Sequence, residues 1–357
     1  MTTFDSTPPV APEATTPLGQ GDGDGAPAGP PTKKGKRKRK MTLLVVLLLI
    51  FAALIAWKLH YGKPFSELPG LSQTKLPHYE LSIYGTTHPL GVAANASGDR
   101  IYVTESDGER VVRVYDAKGK PAGILKPPKS TGPSHSPIYV AINPTTQDVY
   151  VSDRFTASIY VYDEKGTFLR TFAPKGNLGG KFAPLGLAFG TDGSLYATDV
   201  RPPGSKTHRV VSFAPDGTVL RSMGKPGQLS FPNCIAVDAH GNIEVTDSNN
   251  GRLVVFNAAG KMLATINSGP GEGDLGLPRG TAVDDAGRLF VADTADHMVR
   301  VYTVGDLKTP TPAYIGSFGT EGKLDGTFEY PNGVATDTRA HIYITDRENN
   351  RVQVWGY

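Results

Sequence analysis

Short apolar segments alternate with turns rich in Gly, Asn and Asp over most of the chain. One stretch shows the pattern well: strand-like runs at 234–238, 243–247, 253–256 and 262–266 are separated by polar turns, two of which contain Gly241 and Gly260. Within each run apolar and polar positions tend to alternate, which is the period of a strand rather than a helix. Four such strands joined by short turns predict one antiparallel sheet.

This four-strand unit recurs six times with a spacing of 46 to 53 residues. Fixed periods of this length indicate a repeat architecture in which each sheet buries its faces against its neighbours. We therefore predict an all-β fold, a six-bladed propeller. The units open at Pro89, Pro137, Pro184, Pro232, Pro278 and Pro331.

The last unit supplies only three strands, at 333–337, 342–346 and 352–355. The segment 79–85 before the first unit resembles 313–319, the end of the fifth unit. We predict that 79–85 provides the missing strand of the last blade. Closure of this kind leaves no open sheet edge at the seam.

The order of residue types in the best copies of the unit resembles the NHL repeat. The pattern is a proline, one residue, a small residue, two apolar residues and Asp, then Gly, a strand ending in Val-Thr-Asp, and finally Asn-x-Arg-Val-x-Val. The best copies are 232–256 and 331–355, and the resemblance covers 79–357. It implies a six-bladed propeller similar to the outer sensor domains of some bacterial receptor kinases, although no kinase segment accompanies it. The family includes sensors, scaffolds and enzymes, so the fold alone does not give the activity.

The first 78 residues differ in composition from the repeats. Residues 1–32 are rich in Pro, Gly and Ala and are predicted to be disordered. The run 33–40 holds seven Lys and Arg, and 41–57 is an uncharged apolar run that becomes long enough to span a bilayer when 58–61 is included. We predict a transmembrane helix at 41–61, a linker at 62–78 and the propeller at 79–357.

The charge on either side of the apolar run predicts its orientation. The basic flank indicates a cytoplasmic N-terminus, so the protein is expected to be a single-pass signal-anchor protein of a bacterial cell membrane with an extracytoplasmic propeller. A cleaved secretory signal is the alternative, but the apolar run is long for one and Leu54 with Ala56 makes a poor cleavage pair. The basic run is also compatible with a nuclear or nucleic-acid patch.

Overall charge does not favour nucleic acid as a partner. From residue 41 onward the chain carries 30 basic and 30 acidic residues, so the predicted outer domain is neutral. The single cysteine, Cys234, excludes an intrachain disulfide. Its place in an inner strand is typical of a small core residue rather than of a nucleophile.

Propellers usually bind ligands at the mouth of the central channel where the inner strands begin. The three polar residues of this ring, Asn233, Arg279 and Asn332, are the candidate ligand-binding residues, although the two amides could instead satisfy local backbone groups. Propeller hydrolases that resemble gluconolactonases and paraoxonases hold calcium with acidic and amide oxygens, and this ring has no carboxylate. The full ring, one residue after each opening proline, is Leu90, Ile138, Leu185, Asn233, Arg279 and Asn332.

A second ring of acids ends the second strand of every blade. An acid that recurs in all six blades suits a turn that every blade contains, whereas a catalytic site occurs once per protein. These carboxylates are therefore predicted to accept backbone N–H groups of the following loop. Arg209, Arg252 and Arg351 are expected partners, and their replacement in the other blades by Val111, Ser158 and Met298 suggests that the pairs are dispensable. The acids are Glu105, Asp153, Asp199, Asp247, Asp293 and Asp346.

Histidines are the remaining metal-ligand candidates. A zinc site such as that of the peptidylglycine amidating lyases, which resemble this family, needs several imidazoles that converge on the channel. Here the four histidines on the predicted ligand face lie in different blades: His88, His135, His208 and His297.

We therefore expect a non-catalytic module that binds a protein or surface polymer on the loop face, without a cofactor. The alternative is a metal-dependent propeller hydrolase or lyase, lactonase-like or peptidylglycine-lyase-like, with calcium or zinc. Specificity is expected in four loops that depart from the repeat, at 126–136, 200–208, 267–277 and 304–330.

Overall fold

The computed structural model describes residue 46 and residues 76–129, 132, 134–201, 207–306 and 308–357. The predicted tail, basic run and linker up to residue 75 lie outside this part of the chain, as does the predicted span 41–61 apart from Val46. Within the described residues no helix has the length and apolar character needed to cross a membrane.

The described residues form 24 strands in six four-stranded antiparallel sheets, which confirms the predicted all-β six-bladed propeller. We number the blades in chain order. Blade 1 is β2 (Pro89–Ala94), β3 (Ile101–Glu105), β4 (Val112–Tyr115) and β5 (Pro121–Leu125); blade 2 is β6 (Pro137–Ile142), β7 (Val149–Asp153), β8 (Ser158–Tyr162) and β9 (Phe168–Thr171); blade 3 is β10 (Pro184–Phe189), β11 (Leu195–Asp199), β12 (Arg209–Phe213) and β13 (Val219–Met223).

Blades 4 and 5 have the same order, from the channel outward, and blade 6 borrows its outer strand β1 (His78–Tyr84). Blade 4 is β14 (Pro232–Val237), β15 (Ile243–Asp247), β16 (Arg252–Phe256) and β17 (Met262–Ile266); blade 5 is β18 (Pro278–Val283), β19 (Arg288–Asp293), β20 (Met298–Thr303) and β21 (Ala313–Phe318); blade 6 is β22 (Pro331–Thr336), β23 (Ile342–Asp346), β24 (Arg351–Gly356) and β1. A 3-10 turn, Ser248–Asn250, follows β15.

The N-terminal strand closes the ring by pairing antiparallel with the C-terminal strand. In the register of β1 with β24, Ile83 lies opposite Val352 and Tyr79 opposite Trp355. The Tyr79 ring meets the Trp355 ring edge-on, with 6.1 Å between centroids. The two ends of the propeller are thus joined by backbone hydrogen bonds and by an aromatic contact.

The hydrophobic cores lie between neighbouring sheets. The second strand of most blades is buried along its whole length because blades pack against both of its faces, whereas the outer strands β5 and β9 are largely exposed. This gradient explains why the inner strands read as nearly continuous apolar runs and the outer ones do not.

The inner strands approach each other closely around the channel. A Cβ atom on Gly91 or Gly186 would meet the backbone of the next blade. Hydroxyl groups tie the same blades together: Thr104 Oγ1 donates to the Ile138 carbonyl at 2.6 Å, and Thr345 Oγ1 donates to the Leu90 carbonyl at 2.8 Å. Glycine at these two positions, the third residue of each inner strand, is therefore a packing requirement.

Glu244 in β15 stands where the other five blades carry an aromatic residue. It is only 1% exposed, and burial, followed by the nearby Asp238, raises the pKa of its carboxyl well above the usual range. Its Oε2 is buried without a hydrogen-bond partner in the described residues. The side chain is thus an unfavourable group in an otherwise apolar layer.

Replacing Glu244 by Gln is expected to raise the free energy of unfolding at neutral pH by about 1 to 2 kcal/mol. The folded-state pKa lies above the unfolded one, so the wild type is most stable, with respect to this group, below the unfolded pKa. The contribution of Glu244 to the free energy of unfolding is lost as the pH rises through the folded-state pKa. Urea unfolding from pH 4 to pH 8 should show the gain of Glu244→Gln growing with pH. An equal gain at both ends would refute the assignment.

Candidate functional site

The mouth of the central channel has an apolar half and a polar half. On the apolar side, Ile138 and Leu185 pack with Tyr139 and Cys234 in one cluster, against which the partly buried Leu90 rests. The three predicted ligand-binding residues lie in blades 4, 5 and 6. Asn233 and Asn332 are buried, and Arg279 is half-buried.

Tyr139 brings two of these residues together. Its hydroxyl donates a hydrogen bond to Asn233 Oδ1 and lies 3.3 Å from Asn332 Oδ1, so a side chain of blade 2 reaches both blades 4 and 6. Burial raises the pKa of the phenol well above its usual range, and Arg279 offsets part of that effect. The phenol therefore stays protonated and occupies the channel as a neutral donor.

Sequence reasoning missed Tyr139, although a signal was present. The third residue of the inner strand is Gly in four blades, and only blades 2 and 4 depart from it, with Tyr139 and Cys234. The two larger side chains belong to the same buried cluster, together with Ile138 and Leu185.

Arg279 supplies the positive charge of the mouth. Its backbone carbonyl accepts a hydrogen bond from Thr246 Oγ1 at 2.6 Å, which fixes the start of β18 against blade 4. Its side-chain Nε is buried, and no hydrogen-bond partner for it occurs in the described part of the chain. An unused guanidinium donor in a partly enclosed site favours an incoming acceptor.

Cys234 has the properties of a core residue. Its thiol is buried, and burial raises its pKa to about 11. A thiol that stays protonated at neutral pH is a poor nucleophile.

The acids at the ends of the second strands anchor the loops that enter each blade. Asp199 Oδ1 accepts the Ala183 N–H and Asp346 Oδ1 accepts the Glu329 N–H, and in both cases the donor comes from the loop before the inner strand. Asp153 also accepts the N–H of Thr156 in the loop that follows. The acceptors Glu105, Asp247 and Asp293 bind the entering loops in the same way.

Every one of these acids has a basic partner, including those in the three blades where the expected position lacks an arginine. Arg113 reaches Glu105 and Arg300 reaches Asp293, each from two residues further along the third strand than the expected position. A shift of two keeps the side chain on the same face of a strand, which is why the pair survives. The remaining partners are His135 for Asp153, Arg209 for Asp199, Arg252 for Asp247 and Arg351 for Asp346.

The four histidines of this face have separate surroundings. His88 lies between Asp107, at 3.2 Å, and Glu348, at 3.5 Å, and so bridges blades 1 and 6. His135 contacts Asp153, and the His297 ring packs on Tyr330. Burial lowers the pKa of His208, whose Nδ1 accepts the Arg201 N–H. No three His, Cys, Asp or Glu residues within the described ranges are grouped in a way that could hold a metal ion.

Several cavities open among the described residues of these loops. One of about 670 Å³ lies between blades 1 and 2 and is lined by Arg110, Lys126, Lys129 and His135, among others. Another, of about 210 Å³, borders the apolar half of the channel mouth and includes the ring residue Leu185. Both are lined by more basic than acidic side chains.

Three segments of the chain match the family model described as NHL repeat: 229–256, 275–302 and 328–355. Each begins just before an inner strand and covers the first three strands of blades 4, 5 and 6. The chain carries NHL repeats. Blades 1 to 3 share the strand order of the NHL blades.

Solved structures share the fold of these NHL blades. A streptogramin B lyase is 14% identical, with a TM-score of 0.56 over 78% of this chain and 98% of that one. A catalytically inactive virginiamycin B lyase from Staphylococcus aureus, with quinupristin, is 16% identical, with a TM-score of 0.53 over the same shares. A chain of a nidogen/laminin complex is 18% identical, with a TM-score of 0.53 over 69% of this chain and 84% of that one.

Proposed function

We propose that this protein is a membrane-anchored, extracytoplasmic propeller that binds a protein or surface polymer at the channel mouth without catalysing a reaction. The observation that carries the proposal is the buried Nε of Arg279, which has no partner in the described residues and lies in the same ring as Asn233 and Asn332. These groups present hydrogen-bond donors to an acceptor-rich ligand at the place where propellers bind their ligands.

A related fold supports binding as one use of this architecture. One solved propeller of this fold belongs to a nidogen/laminin complex, so in that protein the fold takes part in a protein assembly. The loops of the present chain that depart from the repeat, apart from the start of 304–330, are expected on the face of the channel mouth and would give it a surface of its own.

Capture from native membranes tests the proposal. After chemical crosslinking, the wild-type chain is expected to retain a partner that Arg279→Gln retains at least about fivefold less, since a lost charged hydrogen bond weakens binding by that order. Arg221→Gln is the matched control, because Arg221 is an exposed arginine of the outer strand β13. Equal capture by both variants, or capture of nothing, would contradict binding at the mouth.

A propeller lyase or hydrolase is the second candidate, because a streptogramin B lyase shares the fold. It predicts one calcium or zinc per chain and turnover of a lactone, ester or amidated peptide that stops after chelation. Elemental analysis of the purified full chain, followed by assays on these substrates, separates the two functions. A stoichiometric metal together with metal-dependent turnover would replace the binding proposal.

The membrane anchor is part of the proposal and rests on the sequence 33–61. Protease added to intact cells is expected to digest the propeller and to leave the first forty residues protected, because the basic flank holds the N-terminus in the cytoplasm. Digestion of the tail alone would show the opposite orientation.

A further inference from the structure

The 210 Å³ cavity at the channel mouth lies where blades 2, 3 and 4 meet. Arg154 comes from the loop after β7, Leu185 from the start of β10, and Arg201 from the loop after β11. Phe231, the residue before the opening proline of blade 4, forms a further wall. The cavity therefore exists only when three blades are assembled, and no single repeat encodes it.

The lining of this cavity is positively charged. It contains two arginines and no carboxylate. Asp199 pairs with Arg201, but it also accepts a hydrogen bond from Arg209, so one negative charge is shared by two guanidinium groups. The second lining arginine, Arg154, lies over the Phe231 ring, 5.6 Å from the centroid, and pairs with no acid in the described residues. The surplus charge favours an anionic ligand.

Arg201 has an unused donor in this site. Its Nη2 donates to Asp199 at 2.8 Å and its backbone N–H donates to His208. Its Nε is buried without a partner within the described residues. A guanidinium with a free N–H is suited to a second carboxylate, because it can bind two acceptors with different nitrogens.

The remaining walls are apolar and the space is small. Leu185, Val200 and Phe231 are among the lining residues; Leu185 belongs to the cluster around Tyr139, and the other two pack against it. Pockets that enclose a whole small molecule usually measure about 300 to 1,000 Å³. A cavity of about 210 Å³ fits one apolar side chain and one anionic group. The rest of the ligand must lie outside the cavity, on the surface where Phe155 is 66% exposed.

We propose that this cavity binds the C-terminal residue of a peptide, with its apolar side chain against Leu185 and Phe231 and its carboxylate between Arg154 and Arg201. Capture of a terminal carboxylate is a known mode of peptide recognition, and arginine is well suited to bind it. The inference deepens the proposed function, since it names the ligand class of a site on the same binding face.

Fluorescence anisotropy with the full chain in detergent tests this directly. The probes are a labelled Gly-Ser-Gly-Ser-Leu peptide with a free carboxylate and the same peptide as its amide. The free acid is expected to bind at least about tenfold more tightly than the amide. Arg154→Gln is expected to remove that difference without changing the melting temperature, because Arg154 is exposed and makes no buried ion pair in the described residues.

Arg170→Gln is the matched control, because Arg170 lies over the Tyr150 ring at 5.9 Å in blade 2, with its side chain on the outer strand. It should keep the preference for the acid. Equal binding of acid and amide, or no binding of either, overturns the inference. So does binding of 4-methylpentanoic acid as tight as that of the peptide, which would identify a small-acid site. In each case the proposed function is tested separately, by comparing how much partner the wild type and Arg279→Gln capture from membranes.

Discussion

Replacing Gly186 by Ala is expected to lower the free energy of unfolding by about 3 kcal/mol or to prevent folding. The added Cβ would lie 2.7 Å from the Asn233 carbonyl oxygen and 2.7 Å from the Cα of Cys234, both in the backbone of the next blade. Backbone atoms cannot rotate away as a side chain can, so the inner strands of blades 3 and 4 would have to separate. The effect should appear in urea unfolding of the full chain.

Gly123→Ala is the control for this substitution. Gly123 also lies in a strand, β5, but its added Cβ would meet only Val114, at 3.9 Å, which is ordinary contact. The change should stay within about 0.5 kcal/mol of the wild type. If the two variants lost the same free energy of unfolding, the close backbone contact at Gly186 would not be what limits this position to glycine.

Replacing Arg351 by Met is expected to cost about 3 to 5 kcal/mol of stability. Arg351 is 2% exposed, donates to Asp346 at 2.7 Å and to the carbonyls of Leu324 and Thr327, and thereby ties the last strand to the loop before blade 6. Methionine would leave a buried carboxylate without its cation and would remove one donor from each of the two carbonyls. The melting temperature of the full chain measures the loss.

Arg347→Met provides the comparison, because Arg347 lies nearby in the same blade but pairs with the half-exposed Glu348 at the surface. Exposed pairs contribute about 0 to 1 kcal/mol, so this variant should melt close to the wild type. If Arg351→Met lowered the melting temperature as little as Arg347→Met, the acid–arginine pair of blade 6 would not contribute measurably to stability.

The sequence predicts the propeller well because each blade repeats the same physical requirements. The opening prolines and the apolar second strands recur at a fixed spacing, and a repeated requirement is visible in a single chain. The borrowed strand β1 is recognisable for the same reason, since it resembles the outer strand of blade 5.

The candidate site is less predictable because it depends on departures from the repeat. Tyr139 is informative only once the structure shows that it reaches Asn233 and Asn332 across the channel. Arg113 and Arg300 are shifted by two residues along their strands, and the simple alignment of repeats misses them. The cavity between Arg154 and Arg201 joins three blades whose loops are far apart in sequence.

Site-specific photo-crosslinking in living cells tests the central claim, that the loop face around the channel mouth is the binding surface. A photoreactive amino acid is placed at Phe155, 66% exposed on this face, and in a second variant at Leu220, 54% exposed on the outer strand β13. The account predicts discrete crosslinked species from position 155 and none from position 220. Adducts from 220 alone, or from neither position, would contradict it.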